Sequence, residues 1–209
     1  MIEQRSAEWF KERLGHATAS EADAVMAEGK GGGEAVTRRN YKMRLACERL
    51  TGRPAEESFS NRHTDRGEAL EPFARAAYCT IKDVLVTQLG FVKHPTILWV
   101  GASPDSEADP KGGLEIKCPI AAIHVAYLTS GFPSTYRKQV QWQLWCKPEW
   151  EWVDFVSYNQ DVPEKIRTFI QRVPRDDKFI AEIEQKTIPF LREVEEVYLK
   201  LEALCSKSE

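Results

Sequence analysis

Three ionisable side chains within residues 103–118, SPDSEADPKGGLEIKC, have types and spacing that suit chemistry. Glu115 and Lys117 stand two apart among apolar residues, and alternate residues of a β-strand point to the same side. Asp105 precedes Glu115 by ten residues, which is enough chain for a turn that returns to the same place. We therefore expect an aspartate, a glutamate and a lysine to converge. The residues that alternate with them are expected to point mainly into a core: Leu114, Ile116 and Cys118.

Two carboxylates and an amine in one place suit hydrolysis assisted by a metal ion. Carboxylate oxygens favour a hard cation such as Mg²⁺, which also accepts water and phosphate oxygens, and the backbone carbonyl of Ile116 would add a ligand. The lysine can hold or deprotonate an attacking water and offset developing negative charge. The alternative is a surface hairpin carrying an ion pair, which contributes little stability. The rest of the chain decides between them.

The elements that must position these residues are predicted from apolar periodicity and turn signals. Helices are predicted over residues 6–14, 20–27, 37–51, 64–80, 121–129, 134–146 and 177–205. Strands are predicted over residues 84–94, 96–102, 112–118, 150–158 and 167–173, with 111–113 as a turn. Strands 96–102 and 112–118 would form a hairpin or lie side by side. This order predicts an α/β fold with a central mixed β-sheet flanked by helices, and additional helices at both ends.

The last helix carries an apolar stripe at helical spacing, which favours core packing or a subunit seam. Its members are Phe190, Val194, Val197, Leu201 and Leu204. Near the other end of the chain, residues 18–20 are expected to cap the second helix.

Composition bounds the class of protein. The chain has 209 residues, 42% hydrophobic and 29% charged, which is typical of a soluble globular protein. It has no apolar run of about 20 residues that would span a membrane, and its first residues lack the apolar segment of a signal peptide. The odd number of cysteines, 5, and the absence of a CxxC pair favour free thiols in a cytoplasmic compartment and argue against a cysteine-bound metal.

Charge is unevenly distributed, although the net charge is only −3. Residues 37–53 contain six Arg or Lys and one Glu, whereas the segment from Asp176 onward is mostly acidic. A local basic face on an acidic protein can follow a phosphate backbone, while the simpler alternative is a solvated basic helix.

Four blocks of sequence, in this order, carry a resemblance to a known family. They are WFKERLGHATASEADAVM (9–26), DRGEALEPFA (65–74), SPD with LEIKCP (103–105 and 114–119), and YRKQVQWQLW (136–145). In these motifs the chain resembles the phage lambda exonuclease family, also called YqaJ-type viral recombinases, of the PD-(D/E)xK nuclease superfamily. The resemblance runs from about residue 5 to the last helix. It implies one nuclease domain over 1–209: helices in 1–80, the catalytic sheet and its helices in 81–175, and a final helix in 176–209.

The resemblance also implies an activity. Family members of this kind are Mg²⁺-dependent 5′-to-3′ exonucleases that digest one strand of linear double-stranded DNA and leave a 3′ single-stranded tail for recombination by strand annealing. It implies two Mg²⁺ ions, for which Mn²⁺ can substitute, and a ring-shaped homotrimer around DNA. It further implies a single-strand annealing protein as partner and, for a phage or prophage protein, the cytoplasm of a bacterial host.

Residue roles follow from the same resemblance. Asp105 and Glu115 would bind metal together with the carbonyl of Ile116, and Lys117 would be the catalytic lysine. Glu71, four residues after Gly67, would bind the second metal, with Glu68 as the alternative on the same helix. Gln139 would help to place the lysine or the water. If Gln139 and Gln141 have no such role, they would instead lie on the solvent face of an amphipathic helix.

Arg13, Ser20 and Ser103 match family positions that bind a 5′ phosphate. Independently of the family, arginine offers a fork to phosphate, and a helix start such as that expected at Ser20 attracts anions. In the family, a basic residue in the loop after the second helix and an apolar wedge before the helix of Glu71 help to split the duplex. Their counterparts here match only loosely: Lys30 for the basic residue, and His63 or Thr64, neither large and apolar, for the wedge. None of the histidines, at positions 16, 63, 94 and 124, has metal-ligand spacing.

Two other functions use parts of the same pattern. A PD-(D/E)xK endonuclease would share the active site but needs no pocket for a terminal phosphate. A non-catalytic module that binds DNA ends would not need Asp105, Glu115 and Lys117 together.

Overall fold

The structure is a computed structural model. It describes residues 3–29, 31, 33–55, 62–109 and 111–206, with the backbone alone at 62–65. Seven α-helices lie in these ranges: α1 Ala7–Arg13, α2 Ala22–Val25, α3 Val36–Thr51, α4 Arg62–Lys82, α5 Ala121–Ser130, α6 Arg137–Cys146 and α7 Asp177–Ser206. The strands are β1 Ala17–Thr18, β2 Thr87–Gln88, β3 Val92–Lys93, β4 Val100–Ala102, β5 Ser106–Asp109, β6 Gly112–Lys117, β7 Trp152–Tyr158 and β8 Thr168–Pro174. Within the described ranges, no helix is both long and apolar enough to cross a membrane.

The main sheet is mixed and has five strands in the order β2-β5-β6-β7-β8. The pair β6–β7 is parallel, and the other three pairs are antiparallel. A smaller sheet of three strands has the order β1-β4-β3. The predicted fold class, a central mixed sheet flanked by helices with extra helices at both ends, is confirmed.

The two faces of the main sheet are covered by different helices. On one face, Leu114 and Ile116 of β6 pack with Ala74 and Tyr78 of α4 in a small apolar cluster. On the other face, a larger cluster joins the sheet to four helices, α2, α3, α6 and α7. Because side chains alternate along a strand, Glu115 points away from α4 and towards α6. The two faces of β6 were therefore predicted correctly.

The predicted hairpin between 96–102 and 112–118 is wrong. The strand β4 belongs to the small sheet, and the antiparallel neighbour of β6 is β5, for which no strand was predicted. The predicted turn at 111–113 is also partly strand, since Gly112 and Gly113 belong to β6. A Cβ atom at Gly112 or Gly113 would overlap the indole rings of Trp152 and Trp150, so glycine marks close packing at both positions.

Two other predicted elements are much shorter than expected. The strand predicted over 84–94 is two separate strands of two residues each, β2 and β3. The helix predicted over 20–27 is a 3₁₀ turn at Ala19–Glu21 followed by the four residues of α2.

The basic helix α3 packs on the acidic helix α7. Glu193 of α7 accepts from Arg38 at 2.7 Å and from Lys42 at 2.9 Å, and Arg49 lies 3.3 Å from Glu195. Much of the basic segment therefore faces an acidic helix and is not the solvated helix given as one alternative, while the other alternative, a face for DNA, stays a prediction. The apolar stripe of α7 enters the core at Phe190 and Val194, its next two members are partly buried against the core, and its last member is exposed.

A buried polar network fixes α4 to the sheet. The carboxylate of Asp154 on β7 is fully buried, accepts from the Tyr78 hydroxyl at 2.8 Å, and pairs with both Nε and Nη2 of Arg172. Burying a carboxylate is costly unless donors satisfy it. The network therefore stabilises one position of α4 over the sheet, and α4 carries Glu68 and Glu71 to the edge of the cleft described below.

We predict that Tyr78→Phe lowers the free energy of unfolding by about 1.5–3 kcal/mol, because Asp154 loses one donor to its charge. Urea denaturation measures the effect. Tyr158→Phe is the control, since Tyr158 packs against the same small cluster and is partly buried. Its hydroxyl has no hydrogen bond within the described part of the chain. Equal losses in the two variants would contradict a specific role for the Tyr78 hydroxyl.

Candidate active site

The site is built at the open edge of β6. The strand β5 pairs with β6 only as far as the register Ser106↔Leu114. Asp105 comes just before β5. Its amide donates to the Leu114 carbonyl at 3.1 Å, and its carboxylate accepts from the Ile116 amide at 2.6 Å. Because an antiparallel pair presents the N–H and C=O of one residue on the same edge, the Ile116 carbonyl also lies on this edge.

Glu115 is almost fully buried, and three donors converge on its carboxylate. The side chain is 2% exposed. It accepts from Gln139 at 2.6 Å and from Gln143, both on α6, and pairs with Lys117. The predicted convergence of Asp105, Glu115 and Lys117 is therefore present in the structure, with Ile116 between them.

Gln143 is the residue that sequence reasoning missed. It stands four residues after Gln139, so both amides lie on one face of α6 and reach Glu115. Its other amide atom, Oε1, is buried without a partner in the described part of the chain. The spacing Gln139–Gln143 was the available signal, but only Gln139 was predicted from the helix motif.

Gln141 has a different role. Its amide donates to the Pro174 carbonyl at 2.8 Å and accepts from the Asp176 amide at 2.9 Å, which joins the end of β8 to the start of α7. Gln141 is buried, and Gln139 is partly buried with its amide donating to Glu115. The alternative of an amphipathic helix with solvent-facing glutamines is therefore wrong.

The charges of the site perturb one another. Burial raises the pKa of Asp105 well above its ordinary value, and the nearby carboxylates of Glu115 and Glu71 raise it further. For Lys117, burial acts to lower the pKa, but the charges of Glu115 and Asp105 outweigh it and the pKa is raised. Lys117 therefore stays protonated at neutral pH, with its ammonium 5.0 Å from the centre of the Tyr136 ring.

Glu71 lies on α4 at the rim of the cleft, between two arginines. One carboxylate oxygen pairs with Arg75 at 2.5 Å and the other with Arg5 at 3.1 Å. Arg75 also donates to the Ser106 hydroxyl at 2.9 Å, and Arg5 also pairs with Glu68 at 3.2 Å. The cleft itself has a volume of about 370 Å³. It is lined by Arg5, Gly67, Glu68, Glu71, Asp105, Ile116, Lys117, Cys118, Pro119, Ile120, Ile123 and Tyr136.

The donor set suits a hard cation. Asp105 and Glu115 supply carboxylate oxygens beside the Ile116 carbonyl, which is the all-oxygen set that Mg²⁺ prefers. A cation there would relieve the repulsion that raises the pKa of Asp105. Within the described ranges, however, no three His, Cys, Asp or Glu side chains are already arranged around one metal position. The oxygens of Glu71 are paired with arginines, and those of Glu115 with two glutamines and Lys117.

Arg13 and Ser103 form a second polar group, which the chain joins to Asp105 through Pro104. Arg13 and the indole of Trp9 both donate to the Ser103 hydroxyl at 3.1 Å, and the guanidinium lies 4.3 Å from the centre of the Trp9 ring. Burial lowers the pKa of Arg13. Among the residues that the structure describes, no carboxylate forms a salt bridge with Arg13. Since Ser103 is two residues before Asp105, this partly buried cation lies close to the carboxylate edge.

Ser20 does not cap a helix as expected. It lies inside the 3₁₀ turn Ala19–Glu21, it is exposed, and its hydroxyl is 3.3 Å from that of Thr18. The following helix α2 has only four residues, and Glu21 precedes it without a side-chain cap. The structure gives Ser20 no direct bond to Arg13 or Ser103 in the described part of the chain.

The three histidines whose side chains the structure describes are not among the residues that line the cleft. His124 is buried between the Ser157 hydroxyl at 2.7 Å and the Ile166 carbonyl at 2.8 Å. His16 and His94 pack against aromatic rings. Lys30 lies outside the described residues, as do the side chains of His63 and Thr64.

Comparisons with known proteins give a consistent result. Residues 8–148 match the model of the YqaJ-like viral recombinase domain. The crystal structure of an alkaline exonuclease, LHK-Exo from Laribacter hongkongensis, is similar with a TM-score of 0.88 and 39% identity, covering 98% of this chain and 100% of that one. LHK-Exo in complex with dAMP matches with the same TM-score and coverage at 40% identity. A phage-related exonuclease from Haemophilus somnus, 16% identical with a TM-score of 0.65, covers 91% of this chain and 96% of its own, and shares the fold. No sequence among curated proteins matches significantly.

The mixed sheet, with an aspartate before one strand and a Glu-x-Lys pair on the next, places the chain in the PD-(D/E)xK class. Within that class, the chain belongs to the YqaJ-like viral recombinase family, because the family model matches well over half of it. The resemblance read from the sequence motifs is confirmed.

We predict that Asp105→Asn stabilises the metal-free protein by about 0.5–2 kcal/mol, the range common for stabilising single substitutions. Asparagine keeps an acceptor for the Ile116 amide but removes a buried charge beside Glu115. Since the pKa of Asp105 is raised on folding, its ionised form opposes folding at neutral and alkaline pH. The gain should therefore disappear as pH falls towards the ordinary value of 3.8.

Urea denaturation in the presence of a chelator measures this effect. Asp109→Asn, at the exposed end of the adjacent strand β5, is the control and should change stability little. A destabilised Asp105→Asn protein at pH 8 would show that the carboxylate is favourably placed without a cation.

Proposed function

We propose that the protein is a Mg²⁺-dependent 5′-to-3′ exonuclease that digests one strand of linear double-stranded DNA and leaves a 3′ single-stranded tail. The observation that carries this proposal is the convergence of Asp105, Glu115 and Lys117 in a cleft. Ser103, two residues before Asp105, accepts a hydrogen bond from Arg13. Family membership and the similarity to an alkaline exonuclease support it.

In this proposal, Asp105, Glu115 and the Ile116 carbonyl hold one Mg²⁺ and Glu71 helps to hold a second, with Mn²⁺ as a substitute. When bound, these ions would polarise the phosphodiester and stabilise charge on the attacking and leaving oxygens. Glu71 first has to release at least one of its arginine partners, Arg5 or Arg75.

The chain's own residues orient the reactants. Lys117 is protonated and held by Glu115, so it would position the attacking water and offset negative charge on the phosphate. Gln139 and Gln143 fix the Glu115 carboxylate by donating from α6. Gln139 thus acts through Glu115, as does Gln143.

The group around Arg13 would recognise the 5′ end. Arg13 is partly buried, stacks on Trp9 and has a hydroxyl rather than a carboxylate as its partner, which leaves its charge available to a phosphate. Ser103 belongs to the same group. Ser20 would contribute its exposed hydroxyl from the 3₁₀ turn. A 5′ phosphate held here would fix which phosphodiester bond, counted from the 5′ end, lies at the carboxylates of Asp105 and Glu115.

Assembly and partners are proposed on the family resemblance alone. We propose one nuclease domain that forms a homotrimeric ring around DNA, so that digestion proceeds along one strand. A single-strand annealing protein would receive the 3′ tail. The setting would be the cytoplasm of a bacterial host carrying the phage or prophage.

Digestion of linear, nicked and circular duplex DNA, labelled at each end, tests the function. Linear DNA should lose nucleotides from its 5′ ends in the presence of Mg²⁺, while closed circular DNA stays intact. Cutting of circular DNA would favour an endonuclease. If the protein binds linear DNA but the DNA keeps its end labels, a non-catalytic binding module is favoured.

We predict that Lys117→Ala lowers the rate of hydrolysis by about 10²–10³-fold, the cost of removing one group that stabilises developing negative charge. Duplex binding and the folded state should persist, because Gln139 and Gln143 still donate to the buried Glu115 carboxylate when the ammonium is removed. Lys111→Ala is the control, because Lys111 is exposed and pairs only with Glu151 across the neighbouring turn in the described part of the chain. A Lys117→Ala protein as active as this control would remove Lys117 from the site.

We predict that the wild type prefers a 5′-phosphate over a 5′-hydroxyl end and that Arg13→Ala loses most of that preference. A hydrogen bond to a charged group contributes about 1.5–3 kcal/mol, so the preference should shrink by about tenfold or more. Initial rates on duplexes with the two kinds of end measure it. Lys11→Ala, an exposed position on the same helix, should leave the preference unchanged. Equal wild-type rates on both ends would contradict the phosphate pocket and favour the endonuclease.

A further inference from the structure

Arg5 occupies an unusual backbone position at the mouth of the cleft. Its φ angle is +69°, in the left-handed region that favours glycine. A non-glycine residue there costs about 1–2 kcal/mol, and such strain clusters at functional sites. The sequence around it, Gln4-Arg5-Ser6, carried no functional prediction.

The segment is anchored on both sides of Arg5. Gln4 donates to the carbonyls of Leu89 and Pro104, each at 2.8 Å, and Pro104 directly precedes Asp105. Ser6 is the N-cap of α1, where its hydroxyl accepts from the Trp9 amide at 3.2 Å. Arg5 is therefore held between the strand end that carries Asp105 and the helix that carries Arg13.

The side chain of Arg5 reaches the rim of the cleft while remaining half-exposed. Its guanidinium pairs with Glu71 at 3.1 Å and with Glu68 at 3.2 Å, and it is 44% exposed. It lines the same cleft as Asp105 and Lys117. A cation in this place can be reached by a ligand that enters the cleft.

Glu71 does not need Arg5 as its counter-ion. Arg75 is only 13% exposed, pairs with Glu71 at 2.5 Å and is fixed by the Ser106 hydroxyl, so it neutralises Glu71 from within the protein. Exposed ion pairs such as Arg5–Glu68 contribute little stability. The ion pairs of Arg5 therefore do not offset the cost of its left-handed backbone. A ligand that binds the guanidinium would account for an arginine at this position.

We propose that Arg5 binds a non-bridging oxygen of a DNA phosphodiester at the rim of the cleft once Glu71 turns towards a metal ion. This inference rests on the proposed nuclease function. The ligand is an anionic phosphodiester, which a guanidinium recognises with two parallel N–H groups. Arg5 would then hold the strand on the α4 side of the cleft, while Arg13 holds the terminal phosphate on the α1 side.

Arg5→Gly is the variant that isolates the guanidinium. Glycine adopts φ +69° without strain, so the fold should be retained or slightly stabilised, and thermal unfolding checks this. Lys82→Ala is the control for loss of one positive charge, because Lys82 is exposed at the far end of α4, roughly 16 Å along the helix from Glu71.

Equilibrium binding of a 5′-phosphorylated duplex, measured over a range of NaCl with Mg²⁺ present, gives the decisive readout. Both changes are introduced into the Lys117→Ala protein so that hydrolysis does not consume the DNA. Arg5→Gly should weaken binding by about tenfold. It should also reduce the slope of log K against log salt by about 0.9, the value for one duplex phosphate contact. Lys82→Ala should change neither the affinity nor the slope appreciably.

A different pattern would overturn the inference. If Arg5 is only a counter-ion of Glu71 and Glu68, Arg5→Gly leaves the salt slope unchanged and lowers the Mg²⁺ concentration needed for half-maximal rate in the otherwise wild-type enzyme. An unchanged slope with an unchanged Mg²⁺ requirement overturns it equally. Failure of the wild type to digest linear DNA and of the Lys117→Ala protein to bind it would overturn the proposed function, and this inference with it.

Discussion

A buried carboxylate needs donors, and the demand of Glu115 for them organises the centre of this protein. Glu115 lies on β6 beneath α6, and water has little access to it. Ionised carboxylates are stable in such surroundings only when donors converge on them. Two glutamines of α6 and the lysine two residues along β6 provide those donors, so one interaction fixes the helix, the strand and the reactive ammonium relative to one another.

The opposite face of β6 completes the arrangement with a second buried carboxylate. Asp154 on the neighbouring strand binds Tyr78 of α4 and is covered by Arg172. The helix that carries Glu71 is thereby fixed to the same sheet as Asp105 and Glu115. Between the two helices, β5 leaves the edge of β6 after Leu114, and the backbone amide of Ile116 donates to the Asp105 carboxylate instead of to a strand. The cleft thus results from an incomplete strand pairing held between two polar anchors.

The distribution of cations explains how a chain with a net charge of −3 can interact with a polyanion. Most of the basic residues of α3 are paired with other elements, largely with the acidic α7, and so contribute to packing. The cations that border the cleft are few and separately held: Lys117 by Glu115, Arg13 by Trp9 and Ser103, and Arg5 by two glutamates at the rim. Local placement rather than net charge therefore supports an interaction with phosphate.

The sequence by itself determined the elements with strong periodicity and the residues that converge through local geometry. Glu115 and Lys117 share a face because they are two apart on a strand, and the long helices α3, α4 and α7 follow from their apolar spacing. The motif blocks, read together, also determined the family. These features depend on residues close in the chain, which is why a sequence can reveal them.

Tertiary structure alone decided which elements became neighbours. The strand β5 has four polar or small residues and exists because β6 lies beside it, so the pairing of 96–102 with 112–118 could not be rejected from local signals. From Val140 to Cys146 every residue of α6 is buried, which rules out the solvent-facing position for Gln141 and gives Glu115 a second donor in Gln143. Ser20 does not cap a helix, because the chain forms a 3₁₀ turn at Ala19–Glu21 and the four residues of α2 follow it. The partners of Arg5 are more than sixty residues away in sequence, and hydrogen bonds over such separations depend on the assembled core rather than on spacing.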